Sequence, residues 1–470
     1  MVMRLFRWAI PVALLVIAAP LAPCCRAADP LPIPTRPAGS ASAAPIVPYT
    51  APVATPAATT TAIGLGELEQ LALRHNPTLS QAASQIEASR AKAIQAKLYP
   101  NPTIGYQGEL IGVPGPTGKR SPGEFQGGFI RQEIVTAGKL RLSSAKYQQE
   151  TRAAEIQALA QQLRVVNGVY VAYYEVLAAQ RLIENHRQLV KNAEDAVKTT
   201  EQLVNVGQAN EPDLLQAQIE VNRERVALVT VEQRHRRSWE HMVTIVGKPE
   251  MPLGQLSGKL EPEGPALEWE KELARLLAES PEILFAQAEI VRDQITVKRE
   301  KAEPIPNIVV QGGPGYNYEN PGTNWNAQVS LRIPLFDRNQ GTIRQAKSDL
   351  ARSYAEVTRV ELSLRSRLAD AFSRYQTAKA SADDFREKTL PASLKAYELY
   401  QDYFKQRRAA FPQVLVAQRT YYQYSDDYAN ALLDLRKAET EIKGLLLVDG
   451  LNVPPGPTPQ GHMNAVAKPR

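Results

Sequence analysis

The chain has 470 residues, 44% of them hydrophobic and 22% charged, with a net charge of +6. That length supports one large or two ordinary domains with a real core. Arg4, Arg7 and Arg26 sit in a segment expected to be removed, so about +3 remains and no nucleic-acid footprint is left.

Arg4 and Arg7 precede an apolar run from Trp8 to Leu21 and then small residues around Cys24, Cys25, Arg26, Ala27 and Ala28. This pattern predicts a secretory signal peptide over residues 1–27, cleaved after Ala27; lipidation of Cys24 is the alternative. The apolar run is too short for a spanning helix. Cys24 and Cys25 are the only cysteines, so a mature disulfide framework is excluded. Residues 28–62, rich in Pro, Ala and Thr, have too little apolar surface to offset ordering entropy and are expected to be a disordered linker.

Two repeats follow, over residues 63–247 and 269–447, joined by a Pro- and Gly-rich connector at 248–268. Pro77, Ala82, Ile86, Pro100 and Pro102 recur at an offset of 204 as Pro281, Ala286, Ile290, Pro304 and Pro306. Pro212, Leu215, Ala217 and Gln218 recur at an offset of 200 as Pro412, Leu415, Ala417 and Gln418. In the first repeat a helix is expected over 65–98, restarted at Asn76 and Pro77 and stopped by Pro100 and Pro102. A β-hairpin with a long tip loop is expected over 103–135.

A long helix over 140–204 carries two apolar seams. One is Ile156, Leu159, Leu163, Val166, Tyr170, Tyr173 and Leu177; the other is Val165, Val169, Ala172, Val176, Ala179 and Ile183. Both follow the three-and-four spacing of coiled-coil packing, which implies a neighbouring helix on each side. The helix ends at a tip over 205–213, and a return helix runs from Asp213 to Val246. The second repeat is expected to place a hairpin at 307–335, with strands Asn307 to Gln311 and Trp325 to Leu335. A long helix over 341–406, a tip at 407–412 and a return helix from Gln413 to Leu447 follow, and residues 448–470 are read as a disordered tail.

Four strands cannot close a sheet within one chain, so other copies are expected to complete its edges. Strands of about ten residues with an apolar face fit an outer-membrane barrel built from several chains.

The chain resembles the TolC-type outer-membrane efflux family. The resemblance rests on Leu68-x-x-Leu71-Ala72-Leu73-x-His75-Asn76-Pro77-x-Leu79, Tyr99-Pro100-Asn101-Pro102, Ile333-Pro334-Leu335-Phe336-Asp337 and the two tips. Residues 132–139 and Leu390-Pro391-Ala392-Ser393 are nearer the heavy-metal exporter subgroup. The resemblance implies a mainly α fold with a small β part: long helical hairpins forming a trimeric tunnel under a shared twelve-stranded transmembrane barrel, four strands per chain. It implies an outer-membrane channel with a long periplasmic portion, acting as a passive conduit in a tripartite efflux or secretion system. The implied partners are two further copies, a periplasmic adaptor (membrane fusion protein), an inner-membrane pump and outer-membrane lipid.

Val206, Gly207, Gln208, Ala209, Arg407 and Arg408 are the implied adaptor contacts; turn formation or solvation is the plainer role for such residues. Asp213, Asp402, Gln413 and Val416 are candidates for a constriction, although an N-terminal helix position suits Asp213 equally. Family members that close the tunnel with aspartates have them where this chain carries Gln413 and Val416. Pro391 should kink the second long helix and draw its hairpin inward. The nearby aromatics Tyr397, Tyr400, Tyr403, Phe404 and Phe411 fit interhelical packing better than a gate.

The five histidines, His75, His186, His235, His241 and His462, show no ligand-like spacing, and no phosphate loop, zinc motif or nucleophile elbow occurs. No enzyme activity, cofactor or metal is expected. The competing function is a periplasmic coiled-coil adaptor or structural spacer without a pore.

Overall fold

The computed structural model describes residues 63–109, 111–112, 123–206, 210–262, 264–406, 408–409 and 411–452. The expected signal peptide with Cys24, the linker 28–62, the tip residues Gly207, Gln208, Ala209 and Arg407, and His462 lie outside the described residues.

The first repeat opens with α1 (Leu65–His75) and α2 (Pro77–Gln95). The second opens with α5 (Trp269–Glu279) and α6 (Pro281–Ala302). The breaks have one cause in both repeats. Asn76 and Ser280 are N-caps whose side chains accept from the backbone N–H of Thr78 (2.9 Å) and Glu282 (3.3 Å). Pro77 and Pro281 follow at the first helical position, where a missing N–H costs nothing.

β1 (Thr103–Glu109), β2 (Phe125–Ile134), β3 (Ile308–Asn317) and β4 (Gly322–Leu331) form one antiparallel sheet in the order β1-β2-β3-β4. The second hairpin departs from expectation at two points. β3 continues through Pro314 instead of stopping at Gln311. A central strand tolerates this proline because β2–β3 pairing lapses opposite Gly313 and Pro314, between Gly127↔Gly315 and Ile130↔Gly312. β4 ends at Leu331 instead of Leu335. Pro334 has no N–H to give the ladder and restricts Ile333, so Ile333 and Leu335 lie beyond the strand.

The long helix α3 (Lys139–Asn205, 67 residues) is about 100 Å long at 1.5 Å per residue. The return helix α4 (Glu211–Val246) begins two residues earlier than Asp213. In the second repeat α7 (Gln340–Asp384) and α8 (Leu390–Lys405) lead to the return helix α9 (Phe411–Lys443). Both long helices start from a left-handed residue, Gly138 (φ 64°) and Asn339 (φ 57°), which turns the chain out of the sheet.

The seam Val165, Val169, Ala172, Val176, Ala179 and Ile183 is buried along its length. Leu159 of the other seam is exposed. α3 has more neighbours than two: it touches α1, α2, α4, α6 and α9, because its length carries it past successive shorter helices.

The repeats are fastened to each other. The buried Lys139 donates from Nζ to the Ile305 carbonyl (2.6 Å) and to Asn307 Oδ1 (2.9 Å), and burial lowers its pKa. Thr136 Oγ1 donates to the Pro306 carbonyl at 2.7 Å.

The expected disordered tail from 448 also needs correction. The carbonyl of Gly450 accepts from Thr78 Oγ1 and Gln161 Nε2, each at 3.3 Å, so the chain stays on the packed body through Gly450. Gly168 on α3 leaves room for this return, since a Cβ there would sit 3.0 Å from the Gly450 nitrogen.

Candidate functional site

Cross-strand partners share a face of a sheet, so the pairing sorts its side chains. Ile104 pairs with Ile130, which pairs with Gly312, which pairs with Ala327. In the same way Ile134, Ile308 and Leu331 align, as do Val310 and Val329. This face is apolar and open, with Trp325 74% and Val329 69% exposed.

The opposite face carries Gln107, Arg131, Gln311, Asn324, Asn326, Gln328 and Ser330. Arg131 donates from Nε to Gln311 Oε1 at 2.8 Å and lies 5.3 Å over the Phe129 ring. The rings of Phe129 and Phe125 lie over Gly105 and Gly315, where a Cβ would approach them to 2.4 and 2.0 Å. An exposed apolar face backed by a polar one, on strands of seven to ten residues, is the pattern of a membrane barrel wall. Both edges, β1 and β4, lack a partner strand among the described residues.

Beyond the sheet, α4 packs on α3, α3 on α9, and α9 on α7 and α8. The outer helices of this row, α4 and α8, carry exposed apolar side chains. On α4 these are Leu215, Ile219, Val226 and Val229; on α8, Leu394, Leu399, Tyr400 and Tyr403.

Among the tip residues, Val206 is 65% exposed directly after α3, and Arg408 is exposed beyond α8. Asp213 is tied into the helix start, its Oδ2 accepting from the Asn210 N–H at 3.3 Å. Asp402 is exposed near the end of α8. Gln413 and Val416 lie on the first turns of α9 and line an apolar groove of about 420 Å³ with Ser393, Ala396 and Tyr400. Tyr397 stacks on Tyr421 between α8 and α9, with ring centroids 6.3 Å apart.

The long helix expected over 341–406, with its kink at Pro391, is divided. Residues Phe385–Thr389 form a π-turn, and the Leu390 N–H bonds to the Phe385 carbonyl five residues back. Pro391 has no N–H and its ring clashes with the fourth carbonyl before it in an α-helix; the widened turn just upstream relieves both. The proline is thus accommodated by an extra residue in the turn before it, a place where helices bend, and Leu390 keeps helical dihedrals. Pro391→Ala removes the need for that residue and is expected to change the resting conductance of the protein in a planar bilayer. Unchanged conductance would exclude a role in setting the aperture.

One group of residues had no signal in the sequence. His186 on α3 places Nε2 3.0 Å from Asp426 Oδ2 on α9 and Nδ1 3.9 Å from Glu224 Oε2 on α4. One turn from Glu224, the buried Glu220 takes both Nε (2.6 Å) and Nη2 of Arg419. Asn185 Nδ2 donates to Asp426 Oδ1 at 2.9 Å. These residues come from three helices far apart in the chain, so only the fold brings them together.

A sheet with one lipid-suited face and two open edges, continued by a row of long helices, defines a subunit of an outer-membrane channel. The chain belongs to the outer membrane efflux protein family, whose model matches residues 68–248 and 273–446. It is 24% identical over 378 residues to the cobalt-zinc-cadmium resistance protein CzcC of Cupriavidus metallidurans, covering 80% of this chain and 88% of that one. It is 23% identical over 412 residues to the pyoverdine export outer membrane protein OpmQ of Pseudomonas aeruginosa, covering 81% and 84%. Its fold matches the outer membrane protein VceC of Vibrio cholerae with a TM-score of 0.67 at 16% identity, covering 82% and 96%. The protein is the outer-membrane channel component of a tripartite efflux system, and the reading as a pore-free coiled-coil adaptor is set aside.

Proposed function

We propose that three copies of this chain close a twelve-stranded barrel and a helical tunnel, and that the tips dock a periplasmic adaptor serving a pump for divalent heavy-metal cations. The observation that carries the assembly is the pair of open edges. β1 and β4 leave the sheet unclosed, while α4 and α8 leave apolar seams uncovered on the outer helices of the row. Head-to-tail contacts between copies satisfy both, and a ring closes when the rotation permits. Val206 supports the docking surface: a large apolar side chain exposed at the end of a long helix suits contact with a partner. The cation class is supported by the similarity to the cobalt-zinc-cadmium resistance protein.

A strain lacking the protein is expected to lose tolerance to zinc, cobalt or cadmium and to regain it from a plasmid copy. Val206→Glu is expected to assemble in the membrane yet fail to restore tolerance. Unchanged metal tolerance in the deletion strain, with accumulation of an organic dye instead, would overturn the substrate class and leave the conduit in place.

A further inference from the structure

The groups around His186 sit between the first hairpin and the return helix of the second. Counting 1.5 Å per residue, His186 lies about 28 Å from the end of α3, Glu224 about 20 Å from the start of α4, and Asp426 about 22 Å from the start of α9. All three are therefore at one level above the tips. His186 Nδ1 is buried and has no hydrogen-bond partner among the described residues, and the Glu224 carboxylate stands 3.9 Å from it. Nε2 already engages Asp426. A neutral imidazole can donate from only one nitrogen, whereas the imidazolium donates from both.

We propose that His186 is a proton-operated clasp: on protonation it bridges Asp426 of α9 and Glu224 of α4, locks the two hairpins together and resists dilation of the periplasmic mouth.

The charged groups acting here come from α4 and α9. Asp426 and Glu224 face the imidazole directly, Glu220 is paired with Arg419, and Arg223 and Arg419 act on Glu224. The hydrogen bond to Asp426 raises the His186 pKa against the opposing effect of burial. Burial, and then the charge of Glu220, raise that of Glu224. His186 therefore holds its proton more readily here than in water, and its positive charge works against the rise at Glu224, favouring the carboxylate that accepts from it. The contribution of His186 is complete below its ordinary value of about 6.5 and fades as pH rises through the raised value. Acidification thus tightens the clasp.

The test is the conductance of the full-length protein in planar bilayers, titrated from about pH 8 to about pH 6, the range in which histidine charges. Wild type is expected to lose about half of its conductance or more on acidification, and His186→Gln to stay flat. Glu224→Gln keeps the shape of the site and is expected to move the midpoint to lower pH. That variant also serves if His186→Gln fails to assemble. A flat wild-type profile, the same profile in His186→Gln, or an unmoved midpoint in Glu224→Gln would overturn the clasp. Absence of any conductance would instead count against the conduit on which this inference rests.

Discussion

Ala327→Arg is expected to abolish assembly of the channel in the outer membrane, while Asn326→Arg, one residue earlier, is tolerated. Ala327 lies at the middle of β4 on the apolar face, aligned with Gly312 and Ile130. Successive residues of a strand point to opposite faces, so Asn326 presents to the polar side with Gln328 and Ser330. An arginine facing lipid at mid-membrane costs about 2–4 kcal/mol. Three copies carry that cost together, whereas an arginine in the lumen stays hydrated. Folded protein in outer-membrane extracts, read by the mobility difference between heated and unheated samples, checks both variants. Equal tolerance of the two, or a reversed order, would mean that the sheet does not face lipid as its pairing implies.

The second large effect is expected at Arg419. Its guanidinium takes both oxygens of Glu220, whose side chain is only 5% exposed, and Glu224 is buried one turn away. Arg419→Ala leaves Glu220 without its counter-charge. Breaking a fully buried pair in this way costs about 3–5 kcal/mol, because the remaining charge keeps its desolvation penalty; with the Arg419 side chain 36% exposed, the loss here is expected below that range. The double variant Glu220→Gln with Arg419→Met removes both charges and is expected to recover most of the loss. Thermal unfolding of the detergent-extracted protein measures this. A double variant as unstable as Arg419→Ala would show that packing of the arginine stem, and not the pair, matters there.

Much of the architecture was legible because its signals are local. Asn76 with Pro77, and Ser280 with Pro281, announce a cap and a first turn within three residues, and their spacing reveals the duplication. The apolar alternation of Ala327, Val329 and Leu331 marks a strand face without any knowledge of its partner. The failures came where a distant element decides the outcome. Pro314 reads as a loop residue, and only the lapse of pairing opposite Gly128 and Phe129 lets β3 pass through it. Pro391 announces an interruption, and the π-turn over Phe385–Thr389 just before it carries no mark of its own in the sequence. Residues 448–450 look like a tail because the partners of the Gly450 carbonyl, Thr78 and Gln161, lie hundreds of residues away.

The site divides along the same line. The apolar tip residue Val206 was visible in the sequence and is exposed in the fold. Asp213 was visible too, and its bond to the Asn210 N–H gives it the helix-start role. His186 carried no motif, since its partners belong to α4 and α9.

In the assembly proposed above, further copies of the same chain close the open edges β1 and β4. The native mass of the protein extracted from outer membranes in mild detergent tests it most directly. Three chains per particle is the expected result. A single chain, or a protein released in soluble form from the periplasm, would contradict it.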